Sequence, residues 1–247
     1  MKKTAPNRSS SRLEKMKREM MKAVRTTPLF HSLSDEEWRD VVQYLHGHTY
    51  PEDAYLFFQG DPPDALYIIW KGRVKLVRHT SQGRDVVVTV LGPGQLIGEM
   101  AIFDGRPYSM SAIALEDTAV VTISRHDLMA IIQRHPAVSF HVILELNRRL
   151  RLCTELVRSL AVDRVEQRIA RALLRLMDLG GTPAPEGEGI MIDIHLTRQD
   201  IAEMTGTTVE TAIRVMSRFR KEGLIRNYKG RTILLDPERL EKIARGK

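Results

Sequence analysis

The 247-residue sequence predicts an α+β fold in three successive parts: an antiparallel β unit, one long helix, and a smaller helical unit closed by a β-hairpin. Three observations predict it. Short β-branched runs alternate with glycine turns between Thr49 and Ile123. An apolar spacing of three and four residues begins just after Pro136, and a threonine-capped helix pair followed by a basic hairpin starts at Thr197. A chain of this length can hold two modest domains, each with its own core. Its 43% hydrophobic and 28% charged residues are those of a soluble globular protein.

Composition removes several classes. A single cysteine, Cys153, excludes an intrachain disulfide framework, a four-cysteine zinc site and a cysteine-held iron–sulfur cluster. No apolar run approaches the roughly 20 residues that span a bilayer. The basic N-terminus lacks the apolar core of a secretory signal, so a cytoplasmic protein without a membrane partner is expected. The net charge of +7 divides into +7 over residues 1–27, −5 over 28–135, 0 over 136–196 and +5 over 197–247. Basic ends around an acidic middle suit a polyanion partner for the ends.

The β unit is read from "AYLFFQ", "ALYIIWKG", "RVKLVRH", "DVVVTVL" and "TAVVTIS", punctuated by Gly60-Asp61, Gly72, Gly83, Gly92-Pro93-Gly94, Gly98 and Asp104-Gly105. Strands this short, spaced this regularly, predict a compact antiparallel barrel or sandwich. Ahead of it, "SLSDEEWRDVVQYL" predicts a helix with Ser34 as N-cap and Glu37 at the capping-box position. After Pro136 the period changes: Ile143, Leu146, Leu150, Cys153, Val157 and Leu160 form an a/d seam with charges between them. Such a narrow stripe suits burial against a second copy of itself; the alternative is a core helix packed on the barrel.

The C-terminal elements follow in order. "DRVEQRIARALLRLMDL" is an amphipathic helix ending at Gly180-Gly181, "TPAPEGEG" a loop, and Ile190, Ile192 and Ile194 a strand. Thr197 caps the short helix "RQDIAEM" with Asp200 three residues on, "TGTT" turns, and Val209 to Glu222 forms a second helix closed by Gly223. "LIRNYKGRTILLD" is a hairpin around Lys229-Gly230. Helix, glycine turn, helix and basic hairpin make a winged helix-turn-helix, whose second helix enters the DNA major groove.

On that second helix Glu210, Arg214 and Arg218 share a face. A carboxylate can accept from the cytosine amino group and an arginine can donate twice to guanine, so Glu210 and Arg214 together suit base reading. The alternative is a surface pair worth about 0.2–0.5 kcal/mol. Val209 and Ile213 offer apolar contact to thymine methyls. Arg198, Gln199, Thr208 and Lys229 are placed for phosphate contacts, and Thr207 and Thr211 complete the candidate DNA-binding set.

The linked motifs "FFQGDPPDALYIIWKGRVKL", "LGPGQLIGEMAIFDGRPYS", "RVEQRIARALLRLM" and "LTRQDIAEMTGTTVETAIRVMSRF" resemble the CRP/FNR family of bacterial transcription regulators over about residues 28 to 240. The resemblance implies a cyclic-nucleotide-binding-like β-roll at 28–135, a dimerisation helix at 136–163 and a winged helix-turn-helix at 164–247, with residues 1–27 as a basic arm outside it. It further implies double-stranded DNA, a second copy of the chain and RNA polymerase as partners, and no catalytic residues. The recognition helix is closer to the FNR branch, which implies a palindrome of TTGAT-like half-sites; Ile213 stands where that branch has serine. In cyclic-AMP-binding members a Gly-Glu-Leu segment holds the ribose and an Arg-Ser pair the phosphate. Gly98-Glu99-Met100 matches the first, but Tyr108-Ser109 puts tyrosine in place of the phosphate arginine, with Arg106 two residues away. The two polar residues that meet the purine align with Cys153 and Thr154.

The effector is left unidentified, with cyclic AMP disfavoured by Tyr108. Eight histidines leave heme open without selecting a ligand. His46 and His48 share a face if they lie on a strand, as metal ligands or as ordinary surface residues. Cys153 on the seam reads most simply as core; the alternative is that its two copies approach at a dyad and respond to oxidation. A cupin-like enzyme would need clustered His and Glu ligands, which the β unit lacks.

Overall fold

Strands form where β-branched residues recur, and glycine sets where they turn. The computed structural model describes residues 18–80, 85–185, 187–194 and 196–246. Residues 18–25 form helix α1, followed by α2 (Asp35–Val42), in which Ser34 and Glu37 close a reciprocal capping box. The roll then runs β1 (His46–Tyr50), β2 (Tyr55–Phe57), β3 (Ala65–Lys71), β4 (Val74–His79), β5 (Asp85–Leu91), β6 (Leu96–Ile97), helix α3 (Glu99–Asp104), β7 (Ser111–Ala114) and β8 (Thr118–Ser124). Its strands pair antiparallel in two sheets of order β1-β8-β3-β6 and β2-β7-β4-β5. The turn from β3 to β4 needs Gly72: at φ +84, a Cβ there would lie 2.8 Å from the backbone of Asp117 and Thr118.

All five strand runs read from the sequence are present. The two-residue β6, β7, and helices α3 and α4 (Arg125–Arg134) went unread. So did α1, since the sequence reading started the roll at residue 28. Met20, Met21 and Val24 are buried in a core shared with Phe30, Val41, Leu66, Ile68, Leu128 and Val138, so packing of the roll begins before residue 28. Of the basic arm, residues 1–17 lie outside the described residues.

Helix α5 (Pro136–Val162) is a single 27-residue helix with proline in its first turn, where the missing N–H costs nothing. It buries Val138, Val142 and Ser159. Asp163, extended at ψ 143, breaks it from α6 (Val165–Gly180), which buries Ile169, Ala170, Leu173 and Leu176. The C-terminal unit continues with β9 (Gly181–Pro183), β10 (Ile190–Ile192), α7 (Arg198–Met204), α8 (Val209–Lys221), β11 (Ile225–Tyr228), β12 (Arg231–Leu234) and α9 (Pro237–Ala244). Its sheet has the order β11-β12-β10-β9, and Phe219, Leu224, Leu234 and Leu240 fill a core with α6. Strand β10 ends at Ile192, two residues short of the sequence reading, and β9 falls where a loop was expected.

The two units touch along β5. The Val87 N–H donates to Glu203 Oε2 at 2.9 Å, and Met204 packs on Val77, Val87 and Ile113. Arg73 reaches the Asp193 carbonyl, and Val90 and Leu115 of the roll join the C-terminal core.

Candidate nucleic-acid interface and effector cavity

Two caps set the angle between α7 and α8. Thr197 accepts from Asp200 N while Asp200 accepts from Thr197 N, which fixes the start of α7. Gly206 turns the chain at φ +60, and the Thr208 hydroxyl accepts from Thr211 N to cap α8. Helix α8 buries Ala212, Val215, Met216 and Phe219, one stripe at helical spacing. That stripe leaves Glu210, Ile213 and Arg214 pointing to solvent, with Ile213 49% exposed.

Glu210 and Arg214 were expected either to read bases or to pair with each other. Among the described residues neither takes part in an ion pair. The Glu210 backbone N–H, and then the Thr208 hydroxyl, hold the Glu210 carboxyl below its ordinary value, so it stays charged. Arg218 departs from expectation. Its guanidinium lies 3.2 Å from Glu166 of α6 and 3.8 Å from Glu222, which ties it to its own subunit.

The remaining candidates surround α8. Arg198 is half-buried and donates to Asn227 Oδ1 at 3.2 Å; burial, and secondly the nearby Arg220, push its pKa down. Among the described residues no carboxylate pairs with either guanidinium, and two guanidiniums that repel each other favour an anionic third party. Gln199 is turned instead to Glu203 Oε1 at 2.5 Å, on the side facing the roll. The Thr207 N–H is used by the Ala202 carbonyl, and Thr208 and Thr211 serve each other as cap and capped residue. Lys229 sits at the tip of the wing at φ 45, exposed, with Nζ 5.4 Å from the Tyr228 ring.

A second site lies between the roll and α5. Gly98, Glu99, Met100, Tyr108 and Ser109 line a cavity of about 40 Å³ with Phe57, Leu76, Ile97 and Arg149. Arg149, which the sequence reading missed, donates to Glu99 Oε1 at 2.5 Å, to Glu145 at 3.1 Å, and to the Leu96 carbonyl. Its spacing of four from Glu145 was the available signal, though nothing local pointed to Glu99. Glu99 is 2% exposed; burial pushes its carboxyl up, against the pull of Arg149. Arg106, Cys153 and Thr154 do not join this site. Arg106 is exposed on its turn, Cys153 is exposed, and the Thr154 hydroxyl donates back to the Leu150 carbonyl.

The seam residues of α5 share one exposed stripe: Ile143, Leu146, Leu150, Cys153, Val157 and Leu160, with Leu150 64% and Val157 67% exposed. The barrel does not cover them. His46 and His48 are exposed on β1, and among the described residues no group of three or more His, Cys, Asp or Glu is placed to hold a metal.

A β-roll joined by a long helix to a winged helix-turn-helix defines a class of DNA-binding regulators, and the comparisons agree. Residues 48–135 match the model of the cyclic nucleotide-binding domain, and residues 167–243 that of the Crp-like helix-turn-helix domain. The chain is 34% identical over 220 residues to the cyclic AMP receptor protein of Thermus thermophilus, covering 89% of this chain and 98% of the relative. It is 34% identical over 205 residues to a CRP-like cAMP-activated global transcriptional regulator of Mycobacterium tuberculosis, covering 83% and 88%. A solved CRP-family transcriptional regulator of Thermus thermophilus superposes with a TM-score of 0.68 at 26% identity, covering 81% and 97%. The chain belongs to the CRP/FNR family of transcription regulators. Regulators of this family bind DNA and are dimers. Among the described residues no helix is long and apolar enough to cross a membrane.

Proposed function

We propose that this chain is a homodimeric, sequence-specific DNA-binding regulator that reads a palindrome of TTGAT-like half-sites, modulated at the junction of roll and long helix. The observation that carries the reading is the outward-facing Glu210 and Arg214 at the start of a capped α8, neither of them in an ion pair among the described residues. A carboxylate that stays charged beside a polyphosphate is costly unless a base donor meets it, and the cytosine amino group is such a donor. Arg214 then takes the guanine edge, and Val209 and Ile213 lie against thymine methyls. Arg198, with Arg220 beside it, and Lys229 at the wing tip clamp phosphates on either side, while Gln199, Thr207, Thr208 and Thr211 position the turn. Arg218 acts by fixing α8 to α6.

The exposed stripe on α5 joins two copies, which sets two α8 helices into successive major grooves about 34 Å apart. A change where α5 meets the roll alters that spacing. RNA polymerase is the expected further partner, and the compartment is the cytoplasm.

DNA affinity measured against salt separates the two kinds of contact. Arg214→Ala should cost about 1–3 kcal/mol per half-site and relax selection at one G·C pair. Lys229→Ala should weaken all sequences alike and reduce the salt slope by about one. Unchanged base preference in Arg214→Ala would remove α8 as the reading element.

A further inference from the structure

The match to a cyclic-nucleotide-binding domain, and the cyclic AMP named for two relatives, invite a test of whether the cavity beside α5 fits that ligand. It does not. Tyr108 is 4% exposed and stacks on Phe57, with ring centroids 3.9 Å apart and planes 19° from parallel. Its hydroxyl donates to the Ala65 carbonyl at 2.6 Å and accepts from the Ala65 N–H at 3.1 Å, so both functions of the phenol are used. The ring lies directly on Gly98: a Cβ at that glycine would stand 2.9 Å from Tyr108 Cε1. What space is left, about 40 Å³, has room for a few waters at about 10–15 Å³ each and is well below the roughly 150 Å³ of a cavity that takes benzene.

Charge points the same way. A cyclic phosphate needs a cation to replace its water, and a guanidinium fork is the strong form of that contact. Among the described residues the one cation lining the cavity is Arg149, and three of its five N–H donors already go to Glu99, Glu145 and the Leu96 carbonyl. Glu99 Oε2 is buried without a partner among the described residues. A carboxylate oxygen there accepts a hydroxyl or water donor, which a ribose also offers, so the misfit to a cyclic nucleotide lies at its phosphate and not at Glu99. The Arg149 contact also does something for the fold: it ties α5 to the N-terminus of α3 and to β6, inside one chain and without a ligand.

We infer that Tyr108 closes this seat to cyclic nucleotides and that the Arg149–Glu99 contact joins roll and long helix in their place, so DNA binding requires no cyclic nucleotide. Modulation at this junction is left to ligands that are uncharged hydrogen-bond donors. The inference rests on the DNA-binding reading for its second half alone; the closure of the seat is measurable with no DNA present.

Calorimetry with cyclic AMP reads the seat directly. Wild-type and Tyr108→Phe, which keeps the ring, should show no saturable binding. Tyr108→Arg should bind at least about tenfold more tightly than wild-type, the equivalent of one charge-assisted hydrogen bond. Tyr108→Ala, which opens the seat without burying a new charge, should also gain binding, and it decides the matter if the arginine variant does not fold. Wild-type binding as tight as in Tyr108→Arg would overturn the inference. So would two folded variants, arginine and alanine, that bind no better than wild-type. In the second measurement, wild-type affinity for a selected DNA site should be the same with and without cyclic AMP; DNA binding that appears only with the nucleotide would overturn the second half.

Discussion

Replacing Leu150 tests the subunit contact, because its side chain is 64% exposed and little packing within the subunit depends on it. Burying a whole leucine side chain contributes about 1.5–3 kcal/mol. With roughly two thirds of it still to be covered, pairing against a second α5 is worth about 1–2 kcal/mol per copy and about 2–4 kcal/mol per dimer. Leu150→Ala forfeits most of that, so the dimer Kd should rise between about tenfold and several hundredfold. Leu150→Asp goes further, since it sets two carboxylates against each other in an apolar seam where neither finds a partner. Sedimentation equilibrium over a range of protein concentrations reads the Kd, and circular dichroism shows that each protomer keeps its helices. Palindrome binding should fall with dimerisation while the C-terminal unit stays folded. A Leu150→Asp protein that sediments as the wild-type dimer would refute the seam.

Three further outcomes are expected. Phe219 is fully buried between α8 and its neighbours, so Phe219→Ala should cost about 3–5 kcal/mol in denaturant unfolding, whereas a loss under 1 kcal/mol would place the core elsewhere. Thr197→Ala removes the cap of α7 and should cost about 0.5–2 kcal/mol, read as a lower unfolding midpoint, with Thr197→Ser recovering most of it. Burial raises the Glu99 carboxyl above its ordinary 4.5, so the folded chain holds that proton more tightly than the unfolded one. Its contribution to stability is therefore greatest below pH 4.5 and declines as pH rises through the raised folded value; Glu99→Gln should flatten that decline, and an unchanged pH profile would count against a buried Glu99.

Much of this was legible because local chemistry and tertiary structure agree. Ser34 with Glu37 and Thr197 with Asp200 are capping boxes in the sequence and in space, since each is complete within four residues. The stripe from Ile143 to Leu160 could be read as exposed in one chain because a two-faced helix has nothing else to do with a second apolar face. What escaped notice depends on distance along the chain. Helix α1 carries Met20, Met21 and Val24 at helical spacing, but within a strongly basic stretch that reads as a solvated arm, and strands and helices far downstream bury them. Arg149 reads as a solvated charge until α5 brings it to Glu99, 50 residues earlier. Arg218 shares a face with Glu210 by spacing and stays exposed, but α6 supplies Glu166 as its ion-pair partner. Tyr108 was recognised as a departure by identity alone; its stacking on Phe57 and its bonds to Ala65 show what the departure does.

The central claim is that α8 reads DNA sequence as one half of a symmetric pair. Selection of binding sites from a random duplex pool by the wild-type protein, followed by sequencing, tests it most directly. The account predicts a two-fold symmetric consensus whose half-sites resemble TTGAT and lie about one helical turn apart. A pool that stays random, or a consensus without two-fold symmetry, would contradict it.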